Sequence, residues 1–199
     1  METTTRRILI GAVTGFAFGV FVYTAVTATV FAPETAVVIA EAPHPLPESP
    51  GMIPVKLLIP QLEIDAPVEE VGVTARGNMA TPSRYSSVGW YKYGTLPGAR
   101  GSAVLAGHVD NALGLAGVFK RLSELSPGDE IFVTGAGGEE LRFTIERMEI
   151  YPYQEVPVET LFKDSDAARL NLVTCSGSWL LSEKTYDERL VVYAVLDPL

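Results

Sequence analysis

The sequence predicts a mainly β fold, a closed barrel of about eight strands with short helices, preceded by one transmembrane helix. Three observations support this prediction. Short segments rich in Val, Ile and Leu recur between Gly and Pro turns from residue 51 onward. The segments 130–134 and 141–151 flank the glycine-rich stretch 135–138, which is typical of a hairpin. An uncharged apolar stretch covers residues 8–32 near the N-terminus.

The N-terminal stretch predicts a membrane anchor. A helix over residues 8–32 is long enough to cross a hydrocarbon core of about 30 Å. Arg6 and Arg7 precede it and no basic residue follows closely, so residues 1–7 are expected in the cytoplasm and the rest outside the cell. A cleaved signal peptide is the alternative, because the segment 30–32 weakly resembles a cleavage site.

The rest of the chain divides into a linker and one domain. Residues 33–50 are predicted to form a Pro-rich linker, because repeated prolines prevent a helix and favour extended backbone. Residues 51–199 are expected to form the catalytic domain. Its predicted strands cover residues 55–59, 67–73, 102–106, 130–134, 141–151, 170–174 and 190–195, with short helical turns at 118–125 and 158–163.

The composition limits the classes of function. The formal net charge is -9 and no basic stripe is present, which excludes nucleic acid as an expected partner. The single cysteine, Cys175, cannot form an internal disulfide. Outside the cell it is therefore an inert buried thiol, one half of an intermolecular bridge, or a reactive group. No segment has the ligand spacing of a calcium loop, so neither a metal nor a cofactor is expected.

Three residues at predicted strand ends carry the candidate chemistry. Cys175 follows one apolar strand, His108 follows another, and Arg189 opens the last one. His108 is a candidate acid or base near neutral pH. If the last two strands are neighbours joined by the loop 176–188, alternation brings Cys175 and Arg189 together. A guanidinium there favours the thiolate and stabilises an oxyanion, so the set predicts acyl transfer through a thioester.

These residues lie in motifs that resemble those of the sortase family. The motifs are Leu105-Ala106-Gly107-His108, Leu172-Val173-Thr174-Cys175 and Arg189-Leu190-Val191-Val192. The resemblance covers the whole domain, and the segments 88–91, 96–98, 117–119 and 125–129 are most like class F sortases of high-GC Gram-positive bacteria, with class E next. One departure is that class F members often have Gly-Gly-x-Phe-Asp after the cysteine, where this chain has Ser176-Gly177-Ser178-Trp179-Leu180.

The resemblance implies a barrel-shaped cysteine transpeptidase that cuts an LPxTG-type sorting signal between Thr and Gly. Cys175 is then expected to carry the acyl group as a thioester and to pass it to a cell-wall amine. By the same resemblance, His108 transfers protons and Arg189 binds substrate and stabilises the oxyanion. The implied partners are secreted proteins with a C-terminal sorting signal, a peptidoglycan precursor amine, and the membrane that holds the N-terminal helix.

Further candidates have plain structural explanations as well. Thr174 is a candidate for substrate binding, although a β-branched residue in a strand needs no such role. Trp179, expected in the loop after Cys175, is another. Asp110 either orients His108, as a carboxylate does in hydrolase triads, or only forms a turn. The alternative functions are a cysteine peptidase that hydrolyses its thioester and a catalytically inactive, wall-facing binding module.

Overall fold

The computed structural model describes residues 37–38, 51–111, 114–163, 165 and 167–198. The predicted cytoplasmic segment, the predicted anchor at 8–32 and most of the predicted linker lie outside these residues. Within the described part of the chain, no helix has the length and apolar character needed to cross a membrane.

The described residues form short and long strands joined mostly by turns. The strands are β1 (Val37–Val38), β2 (Pro54–Ile59), β3 (Ile64–Val71), β4 (Asn78–Met79), β5 (Val88–Tyr91), β6 (Gly101–Gly107), β7 (Glu130–Gly135), β8 (Glu140–Pro152), β9 (Ala168–Leu180) and β10 (Thr185–Leu196). The helix α1 spans Val158–Leu161, and 3-10 helices span Pro60–Leu62 and Leu122–Glu124. Both predicted helical turns thus contain a short helix.

The strands close into a barrel, which confirms the predicted mainly β barrel. Their order around the barrel is β10-β8-β7-β2-β3-β5-β6-β9, and β9 pairs with β10 to complete the ring. Two neighbouring pairs, β3 with β5 and β6 with β9, run parallel. The remaining neighbours in the barrel are antiparallel. The short strands β1 and β4 form a separate two-stranded sheet.

Alternating side chains fill the barrel interior. Leu57 and Ile59 on β2, with Phe143 on β8 and Leu105 on β6, are fully buried in one large apolar cluster. Each such side chain contributes roughly 1.5–3 kcal/mol by leaving water. Because consecutive residues in a strand face opposite sides of the sheet, only alternate residues of each strand face the barrel interior.

A second apolar cluster covers the outer face of β6, β9 and β10. It contains Val104, Val173 and Val191 from these strands, and Leu161 of α1 is fully buried against it. The three strands are therefore buried on both faces over part of their length, which explains why the sequence there is apolar without alternation. This double burial makes the strands a rigid support for whatever residues lie at their ends.

The segment after Cys175 differs from the predicted loop at 176–188. Strand β9 continues to Leu180 and β10 begins at Thr185, so these strands form a long hairpin. The extension opens with Ser176, Gly177 and Ser178, which weaken the strand signal in the sequence. Pairing with the partner strand overrides that local preference, with Trp179 opposite Tyr186.

Two further strand boundaries differ from the prediction. Strand β3 begins at Ile64 and ends at Val71, earlier than the predicted 67–73. Strand β5 was not predicted at all, because it is short and contains Gly89. A Cβ on Gly89 would come within 2.9 Å of Val71 and 3.2 Å of Pro82, so the glycine permits close packing there.

Candidate active site

The three predicted residues lie on or directly after three adjacent strands, at the level where β6 ends. Cys175 on β9 is directly opposite Arg189 on the antiparallel β10. On the other side of β9, the parallel strand β6 places Ala106 opposite Val173. His108 and Cys175 each lie two residues beyond that pair, so they are neighbours where β6 ends and β9 continues into its hairpin with β10. The structure therefore brings Cys175, His108 and Arg189 into one site.

Thr174 joins β9 to the end of β6. Its hydroxyl donates a 2.9 Å hydrogen bond to the carbonyl oxygen of Gly107, the residue before His108. Thr174 is buried, with 4% of its surface exposed. The bond links the residue before the thiol to the residue before the imidazole, so it fixes the two strand ends relative to each other. The predicted contact of Thr174 with substrate stays a prediction.

His108 is buried and anchored through one ring nitrogen. Its Nε2 lies 3.1 Å from the carbonyl oxygen of Pro82, and the Tyr85 ring packs against the imidazole with ring centroids 4.9 Å apart. A carbonyl oxygen can only accept, so Nε2 carries a hydrogen and Nδ1 is the nitrogen that can accept one. Burial lowers the pKa of His108, while the hydrogen bond to Pro82 and the charge of Glu69 oppose this shift. The imidazole is therefore neutral at neutral pH.

Arg189 is held by its own hairpin. One terminal nitrogen, Nη1, donates to the carbonyl oxygens of Tyr186 and Glu188, at 2.9 and 2.7 Å. The other, Nη2, donates to the Thr185 hydroxyl at 2.8 Å. The Tyr153 ring lies 5.7 Å from the centre of the guanidinium.

The charge of Arg189 has no carboxylate partner among the described residues. Burial lowers the pKa of Arg189 and a nearby Cys175 thiolate opposes that shift. A guanidinium nevertheless keeps its charge in proteins. A buried cation held by neutral oxygens beside a thiol is suited to stabilising a thiolate or an oxyanion.

Asp110 contacts the hairpin and does not orient His108. The Tyr186 hydroxyl donates to both Asp110 carboxylate oxygens, at 2.7 and 2.8 Å, and Lys120 lies 3.1 Å from Oδ2. Burial, together with the Asp110 carboxylate, raises the pKa of Tyr186, so its hydroxyl stays protonated. The contact connects the segment after His108 to the strand that carries Arg189.

Trp179 lies on β9 and not in a loop as predicted. Its ring packs edge-on against Tyr186 with centroids 5.4 Å apart, and 39% of its surface is exposed. Trp179 therefore packs on the tyrosine that bonds to Asp110, and part of its indole is exposed to solvent. Its predicted role in binding substrate stays a prediction.

The sequence did not single out Pro82 or Tyr186. Pro82 acts through a backbone carbonyl, which leaves no side-chain signal. Tyr186 is bonded to a residue 76 positions earlier in the chain. Its only visible signal was its place three residues before Arg189, in a segment that the sequence predicted as a loop. Within the described ranges, no three His, Cys, Asp or Glu side chains are grouped closely enough to bind a metal ion.

Comparison with known proteins identifies the family. Residues 57–197 match the sortase domain family. The fold is similar to that of sortase C-1 from Actinomyces oris, with a TM-score of 0.58 and 24% identity, covering 74% of this chain and 76% of that one. It is also similar to sortase A from Corynebacterium diphtheriae, with a TM-score of 0.56 and 21% identity, covering 76% of this chain and 63% of that one.

A third structure shares the same fold. It is the sortase D5 transpeptidase of Clostridium perfringens, with a TM-score of 0.54 and 21% identity, covering 72% of this chain and 78% of that one. A comparison with curated protein sequences gave no match. The family match covers most of the chain, and its residues contain the strands that bear the thiol, the imidazole and the guanidinium. The chain belongs to the sortase family, and it is a cysteine transpeptidase.

Proposed function

We propose that this enzyme is a membrane-anchored class F sortase that cleaves an LPxTG-type sorting signal between Thr and Gly. In this proposal Cys175 is the nucleophile, His108 transfers protons and Arg189 stabilises the oxyanion. The observation that carries it is the strand register, with Arg189 opposite Cys175 and His108 at the end of the parallel neighbour. The apolar stretch 8–32 supports the anchor, and the segments 88–91, 96–98, 117–119 and 125–129 support class F.

The first half of the reaction breaks the Thr–Gly amide. The thiol proton of Cys175 passes to His108, which is neutral because burial lowers its pKa. The sulfur attacks the Thr carbonyl carbon, and the negative charge that develops on the oxygen is stabilised by Arg189. The carbon–nitrogen bond then breaks, His108 gives the proton to the departing Gly amine, and a thioester remains on Cys175.

The second half reverses these steps with a different amine. An amine of a peptidoglycan precursor attacks the thioester carbon, and its excess proton passes to His108. The carbon–sulfur bond breaks, the new amide leaves, and the proton returns to the sulfur. Secreted proteins with a C-terminal sorting signal supply the acyl group, so the product is a protein joined covalently to the cell wall.

Cleavage of a labelled LPxTG peptide, with and without an added oligoglycine amine, tests this function. We expect the wild-type enzyme to cleave the peptide and to form the amide product when the amine is present. Cys175→Ala should do neither. Ser178→Ala is the matched control, because Ser178 is exposed on the same strand and bonds through its backbone nitrogen. Cleavage by Cys175→Ala would refute the thioester mechanism.

The hydrolytic alternative gives a different result in the same assay. A peptidase would release the free acid at the same rate whether or not the amine is present. Product analysis by mass spectrometry separates the two outcomes, because the acid and the amide differ in mass. An inactive binding module would give neither product while still binding the peptide.

A further inference from the structure

The segment that accepts the hydrogen bond from His108 is held by a carboxylate on another strand. Pro82, whose carbonyl faces His108 Nε2, is buried and precedes Ser83. The backbone N–H and the hydroxyl of Ser83 both donate to Glu69 Oε2 on β3, at 3.0 and 2.9 Å. Partial burial raises the pKa of Glu69, but the hydrogen bonds from Ser83 and Ser87 and the charge of Arg84 together lower it, so the carboxylate is ionised.

The position of Pro82 is also constrained by close packing on β5. Gly89 on β5 has no side chain, and a Cβ there would lie 3.2 Å from Pro82 Cδ. Pro82 therefore packs closely on the sheet while Glu69 holds the next residue. These two contacts leave its carbonyl oxygen little freedom relative to the imidazole.

We propose that Glu69 is a positioning residue that fixes the Pro82 carbonyl, so that His108 keeps its hydrogen on Nε2 and presents Nδ1 to the reacting groups. This inference rests on the proposed role of His108 as the proton carrier. Without a fixed acceptor, a neutral imidazole distributes its hydrogen between both nitrogens, whereas the Pro82 carbonyl favours the tautomer that leaves Nδ1 able to receive a proton.

Other groups near His108 do not supply this constraint. Tyr85 packs its ring against the imidazole. The Asp110 carboxylate is bonded to Tyr186 and Lys120. The negative charge of Glu69 favours the protonated form of His108 and so opposes the lowering of its pKa. Glu69 does not bond to the imidazole itself, because the Pro82 carbonyl makes that contact. The arrangement resembles a triad in which the orienting group next to the imidazole is a carbonyl and the carboxylate stands one step further away.

Nitrogen NMR of enzyme labelled at histidine tests the proposal directly. The chain has two histidines, so a His44→Gln variant assigns both sets of signals. We expect wild-type His108 to show a protonated Nε2 and an unprotonated Nδ1 at neutral pH. Glu69→Ala should give a mixture of both tautomers and lower kcat by roughly tenfold, a part of the 10²–10⁴ that acid–base catalysis contributes.

Two further variants separate positioning from charge and from general damage. Glu69→Gln keeps an oxygen that accepts from Ser83 but removes the charge, so it should retain the wild-type tautomer and most of kcat. Glu70→Ala is the matched control, because Glu70 is the exposed neighbour on the same strand, and it should leave tautomer and kcat unchanged. Circular dichroism confirms that each variant is folded.

Any of three results would overturn the proposal: a hydrogen on Nδ1 in the wild type, an unchanged tautomer in Glu69→Ala, or a loss of kcat in Glu70→Ala equal to that in Glu69→Ala. The tautomer is measured without substrate, so this outcome is independent of the proposed function. If the labelled peptide is not cleaved by the wild type, the proposed function fails while the NMR result still decides the role of Glu69.

Discussion

The two strands beside β9 hold their functional side chains in different ways. On β10, the acceptors that fix Arg189 lie one, three and four residues before it in the chain. At the end of β6, His108 is fixed by the carbonyl of Pro82, 26 residues away. The arginine side is therefore built from local sequence, and the histidine side depends on how distant segments pack.

The guanidinium of Arg189 and the imidazole of His108 are therefore preorganised in different ways. A hairpin carries its own hydrogen-bond acceptors wherever it docks, so the guanidinium is oriented once the hairpin forms. The imidazole reaches its place only when the segment around Pro82, the strand end at Gly107 and Thr174 are all assembled. The bond between Tyr186 and Asp110 then links the two sides.

The largest expected effect comes from removing the charge on the arginine side. Arg189→Ala should lower kcat/KM for the labelled peptide by roughly 10²–10³, because an oxyanion donor is lost. Arg189→Lys should recover only part of this, since an ammonium cannot reach all three acceptors in the same geometry. Arg76→Ala, at an exposed site, serves as the control. A change of less than threefold in Arg189→Ala would contradict the assigned role.

Breaking the hydrogen bond between Tyr186 and Asp110, which links the two sides, should have the next largest effect. Tyr186→Phe removes the hydroxyl that donates to Asp110, and a hydrogen bond to a charged group contributes roughly 1.5–3 kcal/mol. We expect kcat/KM to fall by roughly tenfold and the free energy of unfolding in urea to fall by about 1–2 kcal/mol.

A double-mutant cycle with Asp110→Asn isolates this link. The effects of the two changes should be strongly non-additive, because either one breaks the same contact. Additive losses would show that Tyr186 and Asp110 act separately and that the two sides of the site are not coupled through them.

Thr174 offers a change confined to the histidine side, for which we expect an effect on stability. Thr174→Val keeps the shape of the side chain but removes the bond to Gly107, leaving a buried carbonyl unpaired at a cost of about 1–3 kcal/mol. Thr174→Ser keeps the hydroxyl and is the matched control. Urea unfolding should show the loss in the valine variant, and equal stability of all three proteins would refute the contribution of this bond.

The smallest expected effect is a dependence of stability on pH. Burial lowers the pKa of His108 below its unfolded value, so the native state favours the neutral imidazole. The resulting stabilisation is complete above a pH of about 6.5, the unfolded pKa, and is lost as the pH falls through the lower folded pKa. The advantage of wild type over His108→Gln in urea unfolding should therefore shrink on acidification.

A variant of the other histidine controls for the general effect of acid. His44→Gln should follow the wild-type stability curve throughout. A wild-type advantage that grows on acidification would contradict the lowered pKa and indicate a charged imidazole in the native site.

The arginine side and the histidine side also differ in how well the sequence predicts them. Alternation within each strand, with the assumption that the last two strands are neighbours, placed Cys175 and Arg189 together, and the register has them opposite each other. The barrel was predictable for the same reason, since its interior consists of alternating apolar residues. The His108 side was not predictable beyond its place at a strand end. A backbone carbonyl such as that of Pro82 leaves no residue type to recognise.

The hairpin beyond Cys175 shows a second limit. Ser176, Gly177 and Ser178 have weak strand preference, so the sequence predicted a loop there. Pairing with β10 determines their conformation, and it places Trp179 against Tyr186. Contacts between distant residues, such as Tyr186 with Asp110, became visible only in the folded chain.

The thioester on Cys175 is the central claim, and intact mass spectrometry of the enzyme after brief mixing with an LPxTG peptide tests it most directly. We predict a mass increase equal to the peptide fragment that ends in Thr, located on the peptide that contains Cys175. An added amine should remove it, and Cys175→Ala should never show it. An adduct on another residue, or product formed by Cys175→Ala, would contradict the account.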